Sequence, residues 1–263
     1  MQNDIIDLYV IMASPAIFDI KILRWYILSR CMNKNMFFSL LIFAVTFCFL
    51  LAACDNDAPN DDRGPVLVCF GDSLTAGRNA TSFGADDKSK SYPAFLQKKV
   101  NIPVINAGES GNTSAQALLR VNGDVLSKNP RIVIILLGAN DFFQQIHLTS
   151  TQPNLQSIID KLNNGNRQIY LAKFYNESVA MDMGAVYKMP EEAVKSLIND
   201  YDAMFNALAS SDNVTLIEDI WQDVWGVHMS EDNFHPNAAG YEIMAGTIFN
   251  VLQPYLEENG LLE

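Results

Sequence analysis

The residue that invites chemistry in this chain is Ser73, in the run Val66-Leu67-Val68-Cys69-Phe70-Gly71-Asp72-Ser73-Leu74-Thr75-Ala76-Gly77. The apolar start predicts a buried strand, Gly71 a turn, and the residues from Ser73 onward a helix. A serine presented at such a hand-over can serve as a nucleophile if a base takes its proton, a third group orients the base, and donors hold the oxyanion. Capping the helix is the alternative use of a serine there. Far downstream, Asp232-Asn233-Phe234-His235-Pro236 places a carboxylate and an imidazole three residues apart. Only three histidines exist, so the candidate bases are His147, His228 and His235. Together these residues make serine hydrolysis the leading expectation.

These groups need a frame. Apolar runs at 65–70, 102–106, 131–137, 168–173 and 214–218 predict short strands buried on both faces. Helical stripes lie between and after them. Val194, Leu197, Ile198, Tyr201, Met204, Phe205 and Leu208 recur at three and four residues, behind a Pro190-Glu191-Glu192 opening. Tyr241, Met244, Ala245, Ile248, Leu252 and Tyr255 repeat the pattern near the end. The alternation predicts a three-layer α/β/α fold of about five mainly parallel strands, as one domain over 65–263. In such sheets functional groups gather at the carboxyl ends of the strands.

Four polar blocks sit at or beyond the predicted strand ends: Gly71-Asp72-Ser73-Leu74, Asn106-Ala107-Gly108-Glu109-Ser110-Gly111-Asn112-Thr113, Gly138-Ala139-Asn140-Asp141 and Asp232-Asn233-Phe234-His235-Pro236-Asn237. In their types and order they resemble the SGNH/GDSL hydrolase family, especially its thioesterase I, lysophospholipase and arylesterase-like branch. The resemblance implies a flavodoxin-like SGNH hydrolase fold with Ser73 as nucleophile, His235 as general base and Asp232 as the carboxylate that orients it. His228 is the rival base, and His147 is read as a surface or pocket-rim residue. The oxyanion donors implied are the backbone N–H groups of Ser73 and Gly111 and the side-chain amide of Asn140, with Gly111 rather than Gly108 in register. Thr75 stands where the G-x-S-x-G elbow needs glycine, and Asp72 is expected to brace the turn.

On the substrate side the resemblance places a loop beside the acyl pocket at Phe142-Phe143. The segment 175–189, longer than in the compact branch, would add Met181 and Met183 as a lid or pocket wall. Ordinary core packing is the alternative for each. The expected reaction is cleavage of carboxylic esters or thioesters of lysophospholipid, fatty-acyl or aryl type through an acyl-enzyme, with no cofactor and no metal. A carbohydrate or peptidoglycan O-acetyl esterase is the alternative within the same chemistry. A non-catalytic lipid-binding lipoprotein is the alternative outside it.

The chain has 263 residues and a formal net charge of −12, which argues against a nucleic-acid or anionic-surface partner recognised by charge. Residues 36–53 are almost wholly apolar, follow Lys34, and end in Leu51-Ala52-Ala53-Cys54 before an acidic tract. This predicts an export signal at 32–53. It resembles a bacterial lipoprotein signal, with lipid on Cys54 anchoring the protein to the membrane of the cell envelope. An uncleaved membrane helix is the alternative. Residues 1–31 are expected to be an extension from a start codon placed too early, and 54–64 a tether. Cys31 and Cys48 fall within the removed part, leaving Cys69 as a buried core thiol and no disulfide framework or zinc spacing.

Overall fold

The computed structural model describes residues 64–163 and 166–262. The expected extension, signal, Cys54 and the tether through residue 63 lie outside the described residues. Five strands form one sheet: β1 (Leu67–Gly71), β2 (Val104–Gly108), β3 (Ile132–Leu136), β4 (Gln168–Ala172) and β5 (Val214–Ile217). Their order is β2-β1-β3-β4-β5 and every pairing is parallel. The central strands are buried because helices cover both faces, which is why β1 and β3 read as unbroken apolar runs.

The helices are α1 (Ser73–Ala76), α2 (Tyr92–Gln97), α3 (Ser114–Asp124), α4 (Ala139–Phe143), α5 (Leu148–Leu162), α6 (Glu177–Val186), α7 (Glu191–Ala209) and α8 (Ala238–Glu258). The chain leaves β1 in one direction to reach β2, then crosses back over β1 to β3. Right-handed crossovers in opposite directions put their helices on opposite faces. Accordingly α2 packs with α8, and α3 with α5 and α5 with α7. The reversal opens a crevice at the carboxyl end of β1, where an open α/β sheet binds its ligand.

The predicted strands are all present, with shifted ends. The largest shift is β2, expected at 102–106 and found two residues later. Ile102 and Pro103 precede the paired stretch, and the Pro103 carbonyl accepts the Leu67 N–H at 2.9 Å. Ala107 and Gly108, which fall beyond the expected strand, continue the pairing of Asn106, meeting Phe70 and Gly71 as it meets Cys69. Ladder pairing overrides the poor strand propensity of Asn and Gly. The 175–189 segment, expected as a lid or pocket wall, contains α6, opened by Asn176 accepting the Val179 N–H. Cys69 is fully buried in β1, and burial pushes its thiol far above its ordinary range. Among the described residues no helix is long and apolar enough to cross a membrane.

Candidate active site

The carboxyl ends of β1, β2 and β3 deliver three of the four polar blocks to the crevice. Close approach decides the first turn. A Cβ on Gly71 would stand 2.6 Å from the Leu136 carbonyl oxygen, and one on Gly108 would stand 2.3 Å from the Ala76 backbone nitrogen. Without side chains at both positions α1 can pack against the ends of β1 and β2. Asp72 caps it by accepting the Leu74 N–H at 3.0 Å, and Ser73 becomes its first residue.

The fourth block arrives from the other end of the domain, just before α8. Its loop is closed by a Met229–Pro236 bridge and by Ser230 N–H donating to the His235 carbonyl at 2.8 Å. The three-residue spacing lets one carboxylate do two jobs. Asp232 Oδ1 accepts the backbone N–H groups of Phe234 and His235, both at 2.9 Å, and the Ser230 hydroxyl at 2.8 Å. Its Oδ2 meets His235 Nδ1 at 2.6 Å. The far ring nitrogen, Nε2, lies 2.8 Å from Ser73 Oγ. An ionised Asp232 can only accept, so Nδ1 carries the ring proton and Nε2 is left to accept from the serine hydroxyl.

Electrostatics agree with that proton placement. Burial alone would raise the Asp232 pKa, but the hydrogen bonds from His235, Phe234 and Ser230 hold it well below the usual carboxylate range. For His235 burial lowers the pKa and outweighs the opposing pull of Asp232. The imidazole is therefore neutral at pH 7 and free to accept a proton. His228 and His147 lie elsewhere. His228 contributes backbone, its carbonyl accepting the Asn237 N–H at 2.9 Å, and His147 caps α5 from an exposed position.

The expected oxyanion donors converge on the same crevice. Gly111 is exposed, has φ +83, and would meet nothing within 4 Å if it carried a Cβ. Gly108 is instead a packing glycine. Asn140 Nδ2 is not idle: it donates to the Asn112 carbonyl at 3.1 Å and to Asp72 Oδ2 at 3.3 Å. The second bond is long, so an incoming oxyanion can compete for that hydrogen.

Sequence reasoning missed the polar groups that hold these loops. Arg120, on α3, donates to the carbonyls of Gly71 (2.7 Å) and Ala107 (2.8 Å) and to Asn112 Oδ1 (2.6 Å), tying together the ends of β1 and β2. Asp141 is fully buried and accepts from Ser114 N–H at 2.7 Å and Thr151 Oγ1 at 3.1 Å, joining α4 to the starts of α3 and α5. Asn79 donates to Asp232 Oδ2 at 2.7 Å. An arginine on a helix, or an asparagine in a loop, carries no local signal of such a long-range partner. Only Asp141, inside a quoted block, stood beside a marked position.

The expected substrate residues part company. Phe142 packs against Phe174, Tyr201 and Tyr187 with ring centroids 6.1–6.4 Å away. The apolar hollow beneath it has room for only about 20 Å³, about one water. Phe143 faces an open cleft of about 530 Å³ between α6 and the Trp225–Phe234 stretch, lined also by Met183, Tyr187, Trp225, Val227 and Asp232. Its ring lies 4.6 Å from that of Phe234, which in turn lies 4.9 Å from the His235 ring. A bond from Trp225 Nε1–H to Asp182 Oδ2 (2.8 Å) spans the two walls. Met181 is half-buried and lines neither space.

Comparison with known proteins places this architecture. Residues 69–243 match the GDSL-like lipase/acylhydrolase family. The chain is similar to thioesterase 1/protease 1/lysophospholipase L1 of Escherichia coli (strain K12), 25% identical over 83% of this chain and 93% of that protein. It is also similar to the acetylxylan esterase of Geobacillus stearothermophilus, 27% identical over 69% of this chain and 91% of that one. The crystal structure of TesA superposes with a TM-score of 0.59 at 26% identity, covering 72% of this chain and 98% of TesA.

Proposed function

The chain belongs to the GDSL-like lipase/acylhydrolase family and is a hydrolase acting on esters; we propose that it works through an acyl-enzyme on Ser73. The observation that carries the reading is the continuous chain from Ser73 Oγ through His235 (2.8 Å) to Asp232 (2.6 Å). His235 Nε2 takes the serine proton as Oγ attacks the acyl carbon, then returns it to the departing alcohol or thiol. Water, activated by the same imidazole, releases the acid. Asp232 holds the ring and stabilises the imidazolium. The N–H groups of Ser73 and Gly111 and the Asn140 amide take the developing negative oxygen.

For the substrate we favour apolar acyl or aryl esters, fatty-acyl and lysophospholipid esters included. Support comes from the aromatic cleft bordering the His235 loop, whose rim exposes Val186, Tyr187 and Val227. The opposite reading, an O-acetyl esterase acting on carbohydrate, draws on the likeness to the acetylxylan esterase. We also place the hydrolase domain at 65–263 and its lipid anchor on Cys54 in the cell envelope, on the sequence pattern alone. The test is hydrolysis of p-nitrophenyl esters from acetyl to palmitoyl by the purified protein and by Ser73→Ala. We expect turnover to vanish in Ser73→Ala with folding intact, and to peak above acetyl in the wild type. Full activity in Ser73→Ala would end the assignment; strict acetyl preference would move it to the carbohydrate reading.

A further inference from the structure

Asp232 Oδ2 has a second partner besides the histidine. Asn79 Nδ2–H donates to that oxygen at 2.7 Å, against 2.6 Å for the bond to His235. Asn79 is only 5% exposed, so water does not compete for it. Its amide cannot be turned over: the Gly84 N–H donates to Oδ1 at 2.6 Å, and an N–H faces only an acceptor, so Nδ2 must face Asp232. The backbone is fixed as well, with φ +58, which Asn tolerates better than most residues. Its own N–H donates to the Ala85 carbonyl at 2.8 Å.

From this geometry we propose that Asn79 is a positioning residue for ester hydrolysis, locking the plane of the Asp232 carboxylate so that Oδ2 stays on the His235 Nδ1–H. The inference rests on the assignment of Ser73, His235 and Asp232 above. Three donors hold Oδ1, yet these alone allow the carboxylate to swing Oδ2 off the ring. Asn79 closes that freedom with a bond to the working oxygen. It also draws negative charge from Oδ2, which weakens the pull on the imidazolium. The other charged or titratable groups around the pair are Arg78 and Asp86, ion-paired at 3.4 Å, and Tyr241, whose hydroxyl donates to the Arg78 carbonyl at 3.0 Å.

Two variants test this. Asn79→Gly deletes the amide and suits the positive φ without strain. Asn79→Asp keeps an acceptor for the Gly84 N–H but turns a second carboxylate oxygen toward Asp232. With p-nitrophenyl acetate, Asn79→Gly should lower kcat about tenfold at unchanged KM. The acid limb of its kcat/KM profile should move down by about half a pH unit, because an Oδ2 that leaves the ring no longer stabilises the imidazolium, and this outweighs the charge that Asn79 had withdrawn. Asn79→Asp should lose more at pH 8, where two facing carboxylates repel, and its acid limb should move up instead, because the added negative charge favours the imidazolium. An Asn79→Asp protein with wild-type kcat and acid limb overturns the proposal, because its loop bond is retained while the donor on Oδ2 is replaced by a repelling oxygen. The same holds if Asn79→Gly keeps wild-type kcat, or if its loss comes with an unmoved acid limb and a lower thermal midpoint. Ser73→Ala is assayed in parallel. Activity there refutes the hydrolytic reading itself; an inactive Ser73→Ala beside an unaffected Asn79→Gly refutes only the role of Asn79.

Discussion

Asp72→Asn should remove a pH dependence of stability that the wild-type protein carries at the turn presenting Ser73. The Asp72 carboxyl is fully buried, and one oxygen caps Leu74 at 3.0 Å while the other accepts from Asn140 at 3.3 Å. Burial, assisted by the nearby Asp141, pushes its pKa from the ordinary 3.8 up to about 7. In the unfolded chain it titrates at the ordinary value. Between about pH 4 and 7 the folded protein therefore keeps a proton that the unfolded chain has released. The sign follows: this contribution is fully present below pH 4 and is lost as pH rises toward 7 and beyond. A gap of about 3 pH units at about 1.4 kcal/mol each gives about 4 kcal/mol as the upper range of the effect. Asparagine preserves an oxygen for Leu74 and carries no charge. In urea titrations, the wild-type unfolding free energy minus that of Asp72→Asn should fall by several kcal/mol from pH 4.5 to pH 8, other titrating groups cancelling in the difference. Parallel curves, within about 0.5 kcal/mol across that range, would refute the reasoning. Hydrolysis by the variant should also drop, because its amide nitrogen then faces the Asn140 amide, donor against donor.

Arg120→Met should lower the unfolding free energy by about 3 kcal/mol, since it leaves the Gly71 and Ala107 carbonyls without their guanidinium donor; an unshifted urea midpoint would show that these bonds are not needed. If the cleft beside Phe143 takes the acyl or aryl group, Val186→Asp with Val227→Asp should raise KM for a decanoyl ester at least several-fold and leave the acetyl ester unchanged. Equal effects on both esters would remove the cleft from the substrate path. Labelling cells with a fatty-acid analogue should mark the wild-type protein and not Cys54→Ala; label that persists in the variant would refute the lipid anchor.

How much could be read in advance follows from where each signal is written. The strands are legible because a strand covered on both faces must be apolar at every position, and Ile132–Leu136 is so without interruption. The four polar blocks are legible because each one is short and contiguous. β2 is displaced by two residues because its last two, Ala107 and Gly108, owe their extended form to the neighbouring strand and not to their own propensity. Phe142 and Phe143 are adjacent in sequence and identical in type, yet consecutive positions on a helix point about 100° apart. One meets the core and the other the cleft, which no local pattern separates. Asn79 and Arg120 are the extreme case, since their meaning lies in partners 153 and 49 residues away.

The spacing of Asp232 and His235 solves a problem of charge as well as of reach. A carboxylate 2.6 Å from an imidazole favours the protonated ring at rest, and a protonated ring cannot act as a base. Two features of the fold oppose this. Burial disfavours the charged ring and is the larger influence on His235. The carboxylate, meanwhile, spreads its charge over Ser230 and two backbone N–H groups on Oδ1 and over Asn79 on Oδ2. The two N–H groups are available only because Asp232 stands two and three residues before Phe234 and His235, so the chain can fold back under it. The D-x-x-H interval thus lets one carboxylate shape its own loop and orient the ring, while burial keeps that ring neutral.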